Sequence, residues 1–149
     1  MEIVRRWFET LGTLRTTPAE VPAKVALLYD PDADYYPVRK FPEARPCHGH
    51  EEIAQFVLSF VAAWGRIEFA IRDLIEVGED GVLACGSLHA EGPESHLPLG
   101  GDIYCCVWLR HGRCFREEHR LTIRGALHAL GLEEQTLEAA GLKAARPED

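Results

Sequence analysis

The stretch that decides the fold reads Ile103-Tyr104-Cys105-Cys106-Val107-Trp108-Leu109-Arg110-His111-Gly112-Arg113-Cys114-Phe115-Arg116-Glu117-Glu118-His119-Arg120-Leu121. Apolar residues alternate with other residues on both arms, and a polar turn containing Gly112 joins the arms, a pattern typical of an antiparallel hairpin. Two ionisable residues, Glu117 and His119, fall on the same side of the second arm as Phe115 and Leu121. Burying a carboxylate and an imidazole is costly unless they are hydrogen-bonded or used. The stretch therefore predicts a cavity lined by polar groups rather than a dry core.

The face that each side chain takes depends on the length of the turn. A two-residue loop of His111 and Gly112 would need positive φ at both residues, and would place Cys106 opposite Glu117. A three-residue loop that starts at Arg110 needs positive φ at Gly112 alone, as in a type I turn followed by a bulge. We therefore predict the three-residue loop. It puts eight residues on the core face: Ile103, Cys105, Val107, Leu109, Phe115, Glu117, His119 and Leu121.

The composition limits the class of protein. The chain has 149 residues, a length that suits one domain with a hydrophobic core. Its formal net charge of −8 argues against nucleic acid as a partner, because phosphate binding needs a basic face. No apolar run approaches the ~20 residues of a membrane span, and the first residues carry no export signal. We expect a cytoplasmic protein that binds neither nucleic acid nor a membrane.

The cysteines favour a reducing compartment, because there are five of them and no Cys-x-x-Cys motif. Adjacent Cys105 and Cys106 point to opposite faces of a strand and cannot readily form a disulfide. The run Cys47-His48-Gly49-His50 lacks a second pair of ligands, so we predict no metal there. The chain also lacks a glycine-rich phosphate loop, so we expect no nucleotide or other cofactor.

Hydrophobic periodicity predicts four helical segments and a series of strands. Helices are expected at residues 2–14, after Pro18, from His50 to just before Gly65, and at 124–130. An extended segment is expected at 33–38, a loop or lid at 39–46, and strands at 67–77, 81–90, 103–109 and 114–121. Helices segregated from an antiparallel meander indicate an α+β domain, here with a cavity at the open end of the sheet. We assign residues 1–132 to this domain and 133–149 to a C-terminal extension, partly helical and then disordered.

Five stretches carry a family resemblance, in order and with matching spacing. They are Val4-Arg5-Arg6-Trp7-Phe8, Leu27-Leu28-Tyr29-Asp30-Pro31-Asp32-Ala33, His48-Gly49-His50-Glu51-Glu52-Ile53, Val107-Trp108-Leu109-Arg110-His111-Gly112-Arg113 and Ala126-Leu127-His128-Ala129-Leu130-Gly131-Leu132. Through them the chain resembles the SnoaL-like branch of the nuclear transport factor 2-like (NTF2-like, cystatin-like) superfamily. The resemblance implies a cone of three to four helices on a curved, mostly antiparallel sheet that encloses a pocket. It does not specify a reaction, since this fold hosts unrelated functions.

Positions that are catalytic in two related enzyme classes differ here. Ketosteroid isomerases have an aspartate before a proline in the first strand, where this chain has Tyr36. Cys105 and Trp7 fall where those enzymes have a second acid and a tyrosine, so their dienol chemistry is disfavoured. Limonene epoxide hydrolases need two aspartates and an arginine that face one cavity. Arg72 and Asp73 are adjacent and would point to opposite faces, so that chemistry is not supported either.

His119 and Glu117 are the candidate catalytic residues. A histidine in a pocket can serve as a general base, and a neighbouring carboxylate can orient it. The alternatives are a structural histidine bonded to Glu117 or to the backbone, and an ion pair between Glu117 and Arg72 or a loop arginine. The candidate ligand contacts are Tyr36, which the resemblance favours over Tyr35, and four residues at cavity-facing positions: Phe60, Trp64, Cys105 and Val107.

These features predict a protein that binds a small, mostly apolar molecule and performs acid–base chemistry of the cyclase, isomerase or hydrolase type on it. The alternative is a non-catalytic dimeric binding module with a vestigial pocket. Tyr104, Cys106 and Trp108 would face outward from the hairpin, and such an apolar patch predicts a homodimer through the sheet. The alternative to the dimer is that residues 133–142 fold back over the patch within one chain.

Overall fold

The computed structural model describes residues 18–39, 44–64, 66–91 and 99–132. A 3₁₀ turn at Pro18–Glu20 leads into α1 (Val21–Leu28), β1 (Tyr29–Tyr36), β2 (Cys47–His48) and α2 (Gly49–Trp64). The chain continues through β3 (Arg66–Val77), β4 (Gly81–Glu91), β5 (Leu99–Arg110), β6 (Arg113–Arg120) and α3 (Ile123–Ala129). The predicted helix at 2–14, the helix-ending Gly65 and the predicted extension at 133–149 lie outside the described residues.

The strands form one six-stranded sheet in the order β2-β1-β6-β5-β4-β3. All neighbouring strands are antiparallel except β1 and β6, which are parallel. Because β1 and β6 run in the same direction, their carboxyl ends meet at the same edge of the sheet. α1 and α2 pack on one face, which we call the inner face, and α3 packs on the other, the outer face. The predicted α+β fold is confirmed.

The helices begin and end where the sequence indicates. Pro22 occupies the first turn of α1, where its missing amide hydrogen leaves no helical hydrogen bond unmade. α2 buries Ile53 and Phe56 against the inner face. Thr122 caps α3 by accepting a hydrogen bond from the amide of Gly125 at 3.0 Å, and Gly131 follows the helix with φ of 70°. No helix of the described residues is long and apolar enough to cross a membrane.

The turn of the β5–β6 hairpin differs from the prediction. It is a two-residue turn with positive φ at both His111 (52°) and Gly112 (75°), and Arg110 pairs with Arg113. A bulge at Phe115 then restores the register, so that Val107 lies opposite Glu117 and Cys105 opposite His119. Glu117 and His119 therefore lie on the core face, as predicted, although the predicted three-residue loop is wrong.

Two of the predicted core residues of the second arm are not in the core. Cys114, fully buried opposite Leu109, takes the place expected for Phe115. The half-buried Phe115 ring instead lies 5.0 Å from the guanidinium carbon of Arg110. Leu121 is 41% exposed, because β6 ends at Arg120.

The outer face is not the exposed patch that the sequence suggested. α3 covers it, so Tyr104 and Cys106 are 6% and 0% exposed and pack with Leu83, Cys85 and Ala126. Trp108 is only partly buried. The covering element is thus the helix directly after β6, and the segment 133–142 proposed for this role lies outside the described residues.

Charged groups on the outer face of β6 pair with one another within the chain. Glu118 is 4% exposed and accepts hydrogen bonds from Arg116 and, at 2.6 Å, from Arg120. The Arg116 guanidinium carbon lies 5.1 Å from the Tyr36 ring centroid and 5.5 Å from that of Trp108. The two flanking cations offset the cost of burying the Glu118 carboxylate.

The first strand begins earlier than predicted. β1 starts at Tyr29 rather than at residue 33, and it includes Asp30-Pro31-Asp32. The pairing of β1 with β6 is irregular between Tyr29 and Asp34. Pro31 explains this irregularity, because it has no amide hydrogen to donate to a neighbouring strand. The early start matters because it brings Tyr29 onto the inner face.

Candidate functional site

Glu117 is the centre of a buried polar cluster on the inner face. The side chain is 1% exposed, yet both carboxylate oxygens have partners. The hydroxyl of Tyr29 donates to Oε2 at 2.5 Å, and Nε2 of His119 lies 2.5 Å from Oε1. The sequence alternative of an ion pair between Glu117 and Arg72 is wrong, since Arg72 pairs with Asp102 at 3.1 Å. The carboxylate is satisfied by one neutral donor and one imidazole.

Aromatic and thiol groups surround this cluster. The His119 and Tyr35 rings make a T-shaped contact, with centroids 5.2 Å apart. The Tyr35 ring also lies 5.4 Å from Phe56, and the Phe56 ring stacks on Phe60 at 6.0 Å. The contact with Tyr35, together with the hydrogen bond to Glu117, orients the imidazole ring, as a general base requires.

Burial and the charge of Glu117 control ionisation around the cluster. Burial, and after it the charge of Glu117, raises the pKa of Tyr29 and of Tyr35 well above the ordinary value for tyrosine. The same two causes, in the same order, raise the pKa of the Cys105 thiol. All three groups are therefore neutral near pH 7, and Tyr29 remains a hydrogen-bond donor to Glu117.

The tyrosine that contacts the His119 ring is Tyr35 rather than Tyr36. Tyr35 lies opposite Glu117 in the parallel pairing of β1 and β6 and is 7% exposed. The Tyr36 ring lies against Arg116 on the outer face. Tyr36 still borders the cavity described next, because the cavity opens at the end of β1.

A cavity of about 470 Å³ opens where β1 and β6 end. Its apolar lining comes from Tyr36, Pro37, Val38, Ala44, Pro46 and Leu121, and its polar lining from Arg39, Arg45, His119, Arg120 and Thr122. The His119 side chain is 14% exposed, and it belongs both to this lining and to the hydrogen-bonded cluster. Glu117 is not part of the lining, so it would act on a ligand only through His119.

Three of the other four predicted ligand contacts lie elsewhere. Cys105 and Val107 are fully buried in the inner core, and Phe60 packs against that core. None of the three lines the cavity at the end of β1 and β6. Trp64 is the last residue of α2, and its side chain lies outside the described part of the structure. The roles of these four residues as ligand contacts stay predictions.

Sequence reasoning missed Tyr29 and the arginines of the cavity. Tyr29 stands at the boundary between α1 and β1, where the pattern gives no alternation to assign its face. Its inclusion in the stretch that carries the family resemblance was the available signal. Arg39 and Arg45 lie in the segment expected to be a loop or lid. A loop has no regular periodicity, so the sequence does not predict where its side chains point.

Three potential metal ligands lie close together on the inner face: Cys105, Glu117 and His119, with ligand atoms within 4.8 Å of one another. They fit an ion poorly as arranged. The contact between His119 and Glu117 is direct, the other carboxylate oxygen holds Tyr29, and the Cys105 thiol is protonated.

The histidines of the Cys47-His48-Gly49-His50 run are engaged separately. Nδ1 of His48 lies 2.8 Å from Oδ1 of Asp34, and Nε2 of His50 lies 2.7 Å from the Tyr29 carbonyl oxygen. The His50 contact joins the first turn of α2 to the start of β1, and so helps to position Tyr29.

The chain belongs to the SnoaL-like domain family, whose model matches residues 4–117, more than half of the chain. TerC, co-crystallised with polyporic acid, has a TM-score of 0.65 and is 19% identical, over 87% of this chain and 98% of TerC. A hypothetical protein from Catenulispora acidiphila with a ketosteroid isomerase-like fold, in complex with trimethylamine, has a TM-score of 0.65 and is 17% identical, over 89% and 94%.

Bal32a, from a soil-derived mobile gene cassette, has a TM-score of 0.67 and is 15% identical, over 87% of this chain and 93% of Bal32a. At these identities the likeness establishes the fold alone, and the expected NTF2-like architecture is confirmed. No curated protein matches the chain in sequence.

Proposed function

We propose that the chain binds a small, mostly apolar molecule in the cavity at the end of β1 and β6 and performs acid–base chemistry on it through His119. One observation carries the proposal: His119 lines the open cavity and also contacts the buried carboxylate of Glu117, which accepts a second hydrogen bond from Tyr29. Glu117 and Tyr29 are positioning residues in this proposal, because neither lines the cavity.

The hydrogen bonds define how the imidazole would act. A carboxylate only accepts hydrogen bonds, so Nε2 of His119 carries the proton that binds Glu117, and in the neutral ring Nδ1 keeps the lone pair. Nδ1 takes a proton from an acidic C–H bond of the ligand, whose electron pair stays behind as an enolate. The imidazolium is then stabilised by the Glu117 carboxylate, and return of the proton to a different atom completes an isomerisation.

Two structural neighbours support a small organic ligand, since one was crystallised with polyporic acid and the other with trimethylamine. A cavity of about 470 Å³ lies within the range of small-molecule sites, roughly 300–1,000 Å³. Five buried free thiols are the basis for proposing that the protein works in a reducing compartment, the cytoplasm.

The experiment has two stages. A thermal-shift screen of small carbonyl compounds identifies ligands, because a molecule that binds only the folded protein raises Tm. Each ligand found is then incubated with the protein in D₂O, and NMR follows exchange of its acidic C–H protons. We expect the wild type to catalyse exchange, His119→Gln to abolish it, and the control Tyr35→Phe to retain it. Exchange that persists in the folded His119→Gln variant would overturn the assignment of the base.

A non-catalytic binding module is the second candidate. Two observations favour it: both oxygens of Glu117 already have hydrogen-bond partners, and little of the His119 side chain is exposed. A histidine and a glutamate that only stabilise the fold would have the same geometry. Ligands that raise Tm in the first stage but show no exchange with wild type in the second would establish this alternative.

A further inference from the structure

The described residues that line the cavity carry a charge opposite to that of the whole chain. The chain has a formal net charge of −8, with 24 acidic residues against 16 lysines and arginines. The described lining of the cavity contains Arg39, Arg45 and Arg120 but no carboxylate. A cationic lining in an acidic protein is a local feature of this cavity rather than a reflection of overall composition.

One of the three arginines is already engaged. Arg120 binds Glu118 at 2.6 Å and donates to the carbonyl oxygen of His119 at 3.0 Å, so it fixes the rim next to the proposed base. Glu118 also pairs with Arg116, which leaves this group of two arginines and one glutamate with a net positive charge. Arg120 thus adds to the positive electrostatic potential of the cavity, and its hydrogen bonds stabilise the part of the lining next to His119.

The remaining two arginines lie in the segments that follow β1 and precede β2. Arg39 and Arg45 are exposed, and both belong to the cavity lining. The Thr122 hydroxyl, which accepts from the Gly125 amide, still has its own proton to donate at the same rim. An arginine can bind a carboxylate through two parallel hydrogen bonds, so this side of the cavity suits a planar anionic group.

We propose that the ligand carries a carboxylate or an equally acidic oxygen at one end of its apolar body, and that Arg39 and Arg45 select it. The inference rests on the proposed function and specifies its substrate class. The anionic group lies at the arginines, and the apolar body packs on Pro37, Val38 and Leu121. The same positive charge stabilises the enolate that forms when His119 removes a proton.

The test uses matched pairs of one- to three-ring aromatic carboxylates and their neutral carboxamides, each titrated into the full chain by calorimetry. We expect carboxylates to bind roughly tenfold more tightly than the matched amides, and added salt to reduce the difference. The double variant Arg39→Gln/Arg45→Gln should lose the preference. Arg113→Gln/Arg124→Gln is the matched control, because it removes the same charge from exposed positions outside this cavity lining.

Each outcome bears on a different proposal. Amides that bind as tightly as carboxylates would overturn the anion preference and leave the proposed pocket intact. A preference that survives in the cavity variant, or is lost in the control variant, would overturn the assignment to Arg39 and Arg45. If no compound of the panel binds the wild type, both the anion preference and the proposed function fail.

Discussion

The hydroxyl of Tyr29 and Oε2 of Glu117 lie 2.5 Å apart, between the first residue of β1 and the middle of β6. Both side chains are 1% exposed, so neither has water as an alternative partner. The contact fixes the carboxylate, and the carboxylate in turn fixes His119. The proposed base is thus positioned by a residue 90 positions earlier in the chain.

Removal of the Tyr29 hydroxyl should destabilise the fold. Tyr29→Phe leaves the buried carboxylate one donor short, and we expect a loss of about 2 kcal/mol in the free energy of unfolding, measured by urea denaturation. Tyr35→Phe is the control, because it keeps the ring contacts and leaves Glu117 with both donors. Equal losses in the two variants would contradict the role given to the Tyr29 hydroxyl.

Tyrosine ionisation should be coupled to unfolding at high pH. The pKa values of Tyr29 and Tyr35 are raised in the folded state, chiefly by burial. The unfolded chain therefore releases these protons first, and stability falls as the pH rises above the ordinary tyrosine pKa of 10.0. We expect part of the tyrosinate absorbance near 295 nm to develop only as circular dichroism reports loss of structure. Complete titration while the fold is intact would refute this prediction.

His48 should titrate above its ordinary pKa of 6.5, because the hydrogen bond to Asp34 favours the protonated ring. A raised pKa means that the stabilising contribution is fully present below pH 6.5 and is lost as the pH rises through the folded-state value. The pairing of β2 with β1 should therefore loosen at higher pH. NMR titration should show a larger downward shift of the midpoint in Asp34→Asn than in Asp32→Asn, and equal midpoints in both variants and wild type would contradict the assignment.

The homodimer through the outer face stays a prediction, and the area available to it is smaller than the sequence suggested. α3 buries Tyr104 and Cys106, which leaves the partly exposed Trp108 as the anchor. We expect Trp108→Glu to halve the mass measured by light scattering while circular dichroism is unchanged. Leu27→Glu, at an exposed apolar position on α1, should keep the wild-type mass. A monomeric wild type, or a dimeric Trp108→Glu variant, would exclude this interface.

Regular alternation made much of the fold predictable. The periods of 3.6 and 2 residues located α2, α3 and the four long strands to within a few residues, and alternation placed Glu117 and His119 on the inner face. The turn was not predictable in the same way, because a two-residue turn strains His111 and the sequence pattern does not reveal the bulge that makes this turn compatible with the same faces.

The rest of the site depends on contacts between distant segments. The family resemblance favours Tyr36 over Tyr35, and only the parallel pairing of β1 with β6 shows that Tyr35 lies opposite Glu117 while Tyr36 ends the strand. The burial of Tyr104 and Cys106 depends on where α3 packs after Thr122, which no local pattern specifies. Tertiary packing, not propensity, determined each of these outcomes.

The bulge at Phe115 means that the second arm of the hairpin is one residue longer than its partner requires. Deletion of Phe115 would join Cys114 to Arg116 in regular pairing, with Val107 still opposite Glu117 and Cys105 still opposite His119. Insertion of a residue there would instead demand a second bulge or turn both side chains to the outer face. The hairpin therefore tolerates the loss of one residue at the bulge but not the gain of one. The inner-face orientation of His119, the proposed base, is kept in the first case and lost or strained in the second.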